Sequence, residues 1–98
     1  MHQKEVLLNF LKNKIASHYP NVKVHDLNIT KLQNKNIIVL DFKSKRFSEL
    51  LYNNAKKEYQ DQFKDIIRAI FHQWNITREQ FNTTGDIKLV LTKPILKT

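Results

Sequence analysis

From Phe47 to Trp74, apolar side chains recur in steps of three and four: Phe47, Leu50, Leu51, Ala55, Tyr59, Phe63, Ile66, Ile67, Ile70, Phe71 and Trp74. That period belongs to one face of a helix, and no other signal in the chain is as sustained. Ser44 stands where a helix N-cap belongs, its hydroxyl able to accept an orphan backbone N–H. A helix over about 45–74 would be ~42 Å long at 1.5 Å per residue, so a bend or break near Asn53–Asn54 is expected. A helix with one apolar stripe needs a second layer to cover it, and the rest of the chain must supply that layer.

Leu7, Leu8, Leu11 and Ile15, widened by Phe10, predict a first helix over about 3–18, stopped by Pro20. "VKVHD" fits either a short helical turn or the start of a strand. Two strands follow, about 26–33 and 36–43, joined by a polar turn at Asn34–Asn36. In the second, Ile38, Leu40 and Phe42 share one face, and Ile37, Val39 and Asp41 the other. Its branched residues mark it as central in a sheet. "TREQ" at Thr77–Gln80 fits a capping box and one more helical turn. After Gly85, Ile87, Leu89 and Leu91 alternate, giving a strand over about 86–92 that Pro94 limits. The expectation is one α+β domain over 1–98, in the order α-(α)-β-β-α-β, with a three-stranded sheet packed against helices.

The 98 residues include 17 basic and 9 acidic ones, a net charge of +8. Such a balance favours acidic partners, whether nucleic acid, an acidic protein face or an anionic surface. The charge is scattered rather than gathered in one block, so lysines that merely solvate the surface explain it equally well. There is no cysteine, which removes disulfides and thiolate metal sites. "MHQKEVLLNFLKNK" lacks a signal-peptide pattern and no apolar run reaches the ~18 residues of a membrane span, so a cytoplasmic protein without membrane contact is expected.

Catalytic and cofactor patterns are scarce. His2, His18, His25 and His72 have neither zinc-finger nor HExxH spacing. Asp41 and Glu49 could approach one another, but acid–base work also needs a pocket that perturbs their pKa values. A single glycine rules out a GxxxxGK[ST] phosphate loop. The sequon at Asn75–Thr77 carries no weight without secretion. No enzyme and no cofactor or metal are expected.

What remains is the turn "KSKRF". Lys43, Lys45 and Arg46 sit where a central strand feeds a helix start, where backbone N–H groups and the helix dipole favour an anion. A solvated turn is the equal alternative. Phe47, beside them, reads either as a core ring or as a partly covered interface anchor. Tyr59, Phe63, Phe71 and Trp74 read as core, because they keep the helical period.

The layout, with "NIIVLDFKSKRFSELL" at 36–51, "DIKLVLTKP" at 86–94 and "LLNFLKNKI" at 7–15, resembles the N-terminal domain (domain I) of the bacterial replication initiator DnaA, a small adaptor of KH-like fold. Arg46 and Phe47 fall on that family's RF pair. The chain departs from it in lacking a tryptophan in the first helix, in the second helix, and in extra residues around the long helix. The resemblance implies a non-catalytic protein-interaction domain of DNA replication initiation. Its partners would be the replicative helicase, initiation regulators and further copies of itself, with Phe47, Arg46 and Lys45 as the contact. Weak contact with single-stranded DNA is also implied, and the chain would be an excised domain or a stand-alone relative. The clamp-loader tau C-terminal domain and the helicase loader DciA are similar in layout. The alternative is a stand-alone KH-like protein binding single-stranded DNA or RNA through Lys43, Lys45, Arg46, Lys56 and Lys57, without the GXXG loop of KH domains or the RNP1 signature of RRM domains.

Overall fold

The computed structural model describes residues 2–53, 56–82 and 86–94. Its elements are helix α1 (His2–His18), a 3-10 turn (Val24–Asp26), strands β1 (Asn28–Gln33) and β2 (Ile37–Lys43), helices α2 (Lys45–Asn53) and α3 (Lys56–Ile70), and strands β3 (Asn75–Phe81) and β4 (Asp86–Thr92). The 3-10 turn resolves the "VKVHD" ambiguity. The turn at Gly85 lies outside the described residues.

The expected long helix is described as two helices, α2 ending at Asn53 and α3 beginning at Lys56, and α3 ends at Ile70 rather than at Trp74. Ser44 caps α2: its Oγ accepts the Phe47 N–H at 3.3 Å, while its carbonyl accepts the Ser48 N–H at 2.9 Å. That satisfies two backbone donors that a helix start otherwise leaves without partners.

The expectation of a helical turn at Thr77–Gln80 and of a three-stranded sheet is corrected. Residues 75–81 form an edge strand, and the sheet has four antiparallel strands in the order β1-β2-β4-β3. The β1–β2 hairpin closes where the Asn34 N–H donates to the Ile37 carbonyl at 2.8 Å. The chain then crosses one face of the sheet as α2 and α3, forms β3 at the far edge, and returns as β4 into the central place. A capping box needs a helix behind it. Here the N–H and C=O groups of this segment find partners on β4 instead.

The core lies between the helices and one face of the sheet. Ile29, Ile38, Leu40, Phe42, Ile87, Leu89 and Leu91 point inward from the strands, against Leu11, Ile15, Leu51, Phe63 and Ile67 from the helices. Four rings run through it edge to face: Tyr19 to Phe47 at 5.4 Å, Phe47 to Phe63 at 5.2 Å and Phe63 to Phe42 at 5.0 Å. Such pairs contribute roughly 0.5–1.5 kcal/mol each beyond the area they bury.

Candidate interaction surface

Phe47 is not an exposed anchor. Its position as the third residue of α2 turns the ring inward onto Tyr19 and Phe63, and its exposure is 0%. The expectation of a partner contact at Phe47 is therefore corrected: burial removes the side chain from any surface. Lys45 and Arg46, in the same helical turn, point outward and are exposed. Lys43, the last residue of β2, is also exposed, on the side of the sheet away from the helices. Lys57 is exposed in the first turn of α3, and the side chain of Lys56 lies outside the described residues. Among the described residues Lys43, Lys45, Arg46 and Lys57 make no ion pair, so their charges are available to an acidic surface.

The sheet face away from the helices carries a second set of residues. Alternation along β2 and β4 puts Ile37, Val39, Asp41 and Lys43 there, beside Thr92, Val90, Lys88 and Asp86 respectively. β1 adds Leu32 opposite Val39, and β3 adds Arg78 opposite Val90. The face is thus ordered in rows across the strands. One row is Leu32, Val39, Val90 and Arg78. The next, towards the "KSKRF" end, is Thr30, Asp41, Lys88 and Gln80. No helix among the described residues packs on this side, and Leu32 and Ile37 are 65% and 45% exposed. A shallow polar depression of about 190 Å³ sits at its charged end, lined by Asp41, Lys43, Gln80, Asn82, Asp86 and Lys88. The signal for this surface was in the sequence, since Ile37 and Val39 are branched apolar residues on the face opposite Ile38 and Leu40.

On the helix side, a groove of about 400 Å³ runs between α1 and α3, lined by Lys14, His18, Tyr19, Gln62, Asp65, Ile66 and Ala69. Val6 and Phe10 continue the Lys14 stripe of α1 at four-residue steps and are exposed. Tyr19 is part of its lining. Burial, and then the neighbouring Tyr59, push its phenol up to about 12, and its hydroxyl donates to the Tyr59 carbonyl at 3.4 Å. A phenol held neutral to that extent is a poor general base at neutral pH.

No group of three or more histidine, aspartate or glutamate side chains converges among the described residues, and no helix among them is long and apolar enough to cross a membrane. Comparisons with protein-family models, with curated proteins and with solved structures each found no match. The class defined by the fold is a small two-layer α+β domain with one open sheet face.

Proposed function

We propose that this chain is a non-catalytic protein-interaction module whose contact surface is the open face of the sheet. One observation carries this reading: Leu32, Ile37, Val39 and Val90 form an apolar patch at one end of a face that no helix among the described residues covers, with Asp41, Lys43 and Lys88 beside it towards the other end and Arg78 at its flank. An exposed apolar patch bordered by polar residues is a usual mark of a protein contact. No aromatic ring lies on this face among the described residues. Binding single strands through base stacking uses such rings, so a protein partner fits the surface better.

The setting of DNA replication initiation, with the replicative helicase or initiation regulators as partners, rests on the layout resemblance to DnaA domain I. A first helix, a strand pair, a capped helix after the turn and a closing strand support it. The fourth strand and the buried Phe47 ring depart from it and from a KH-like sheet. Lys43, Lys45 and Arg46 steer an acidic partner towards the charged end of the face.

The test is an NMR titration of the labelled chain, first with the replicative helicase and then with a single-stranded oligonucleotide at low and near-physiological salt. The expected result is shifts at Leu32, Ile37, Val39 and Val90 with the helicase, lost in V39D, and oligonucleotide shifts that vanish at the higher salt. Oligonucleotide shifts at Lys43–Arg46 that persist at the higher salt would replace this reading with the nucleic-acid one.

A further inference from the structure

The rows of the open face have a property that a generic sticky patch lacks: they are self-complementary. Across the two central strands, Lys43 neighbours Asp86, Asp41 neighbours Lys88, Val39 neighbours Val90 and Ile37 neighbours Thr92. Two sheets stacked face to face keep their strands roughly aligned, about 30° apart, with ~10 Å between them. If the two-fold axis of such a stack runs parallel to the strands, between β2 and β4, each β2 lies over the β4 of the other copy. Asp41 then faces a Lys88, Lys43 faces an Asp86 and Val39 faces a Val90, each twice by symmetry. At the flanks Leu32 lies over Arg78, whose aliphatic stem can cover it. No like charges meet.

The other in-plane axis, across the strands, puts each β2 over the other β2 with the rows reversed. Lys43 and Asp41 would then fall on Ile37 and Val39, leaving charges on apolar groups without partners, which is costly. With the axis centred on the face, the operator along the strands satisfies it and the one across them does not; shifting the latter towards the charged end pairs Asp41 with Lys43 but carries Val39 and Ile37 off the facing sheet. We infer that the occupant of the open sheet face is a second copy of this chain, in an isologous two-fold dimer. This rests on the protein-contact reading above and places a second copy on that face when no other protein partner competes for it.

Size sets the strength. Four strands at ~4.8 Å spacing and about six residues of length give a footprint of roughly 400 Å² per copy. On the order of 1,000 Å² of accessible surface is then lost for the pair, at the lower bound for specific contacts. The dimer is consequently weak and dependent on concentration.

Sedimentation velocity of the whole chain tests it, at concentrations from about 10 µM to about 1 mM and ionic strength of about 0.15 M, where charge repulsion is largely screened. The expected result is a sedimentation coefficient rising towards about one and a half times the monomer value. D41K and K88D, each folded by circular dichroism, stay monomeric alone because each presents two like charges to its own copy. Their equimolar mixture associates again, since one chain offers lysines where the other offers aspartates. Rescue by mixing cannot come from the Asp41–Lys88 neighbour pair within one sheet, which stays disrupted in both variants. A wild-type chain that remains monomeric throughout overturns the inference, as does a mixture no more associated than its components. A monomeric chain whose Val39 region still shifts with the helicase would sink the dimer and keep the protein-contact reading.

Discussion

Phe47 is where local position and the surrounding core agree most closely. The Ser44 cap fixes the first turn of α2, and the third residue of that turn faces the gap between Tyr19 and Phe63. Truncating a fully buried phenylalanine removes its transfer free energy and leaves a cavity, together about 3–5 kcal/mol. A chain of this size has about 5–15 kcal/mol of total stability, so Phe47→Ala consumes a large part of it. Urea unfolding should show a fall of that size in the free energy of unfolding, and any loss of binding in this variant would report unfolding rather than a lost contact. Tyr19 makes a second prediction. Its folded pKa of about 12 exceeds the ordinary value of 10.0, so the folded state holds the phenolic proton more tightly than the unfolded one. This contribution to stability is fully present below pH 10 and is lost as pH rises towards about 12. Tyr19→Phe has no proton to lose, so its urea midpoint should fall less than that of the wild type over this interval. Equal slopes for both proteins would contradict the assignment.

Among the elements, β3 shows why a sequence can hide a strand. Ile76 and Phe81 both turn towards the helix side, although they stand five positions apart, an odd step that strict alternation would send to opposite faces. The irregularity in register between Ile76 and Arg78 restores their common side, leaving Thr77 as the extra residue. Its hydroxyl lies 3.0 Å from that of Thr92 and donates to the Val90 carbonyl at 3.3 Å. A bulge removes the period-2 signal, and "TREQ" supplies a capping box by coincidence, so the wrong element was the better match locally. The regular elements were legible: α1, the β1–β2 hairpin and β4 follow their apolar periods, and helix length asks for the separate α2 and α3. The open face was legible only in part, because alternation along β2 gives its residues, whereas the rows need the place of β4 beside β2. That place is fixed by contacts far apart in sequence. One of them is Ser48, buried in α2, whose hydroxyl donates to the Asn82 carbonyl at the end of β3. Ser48→Ala leaves that carbonyl without its α2 partner and should cost about 1–2 kcal/mol. Hydrogen exchange should quicken at Asn82, whose N–H donates to the Asp86 carbonyl at 2.9 Å. Unchanged exchange there would mean that the β3–β4 turn is held by the strands alone.

For the whole molecule, the net charge of +8 gives opposite salt dependences to the two ways this domain could bind. Two copies stacked through their sheets have centres about 20 Å apart, counting ~10 Å between sheets and half a layer on either side. Treated as point charges in water, they repel by about 7 kcal/mol at an ionic strength of 0.01 M, where the screening length is about 30 Å, and by about 1 kcal/mol at 0.15 M, where it is about 8 Å. The four facing Asp–Lys pairs weaken over the same range, but pairs of this kind contribute only about 0.2–1 kcal/mol each. Loss of the long-range repulsion therefore wins, and self-association should strengthen as salt rises from about 0.01 to about 0.15 M. A nucleic-acid complex behaves the other way, because every phosphate contact releases a counterion and salt opposes that release. Measuring both slopes on one preparation of the chain separates the readings by sign. A sedimentation coefficient that rises with salt, beside oligonucleotide binding that collapses, leaves the basic residues as the source of the repulsion between copies and assigns the contact to the apolar rows. If self-association instead weakens with salt, attraction between charges dominates the contact, and the apolar rows are not what holds two copies together.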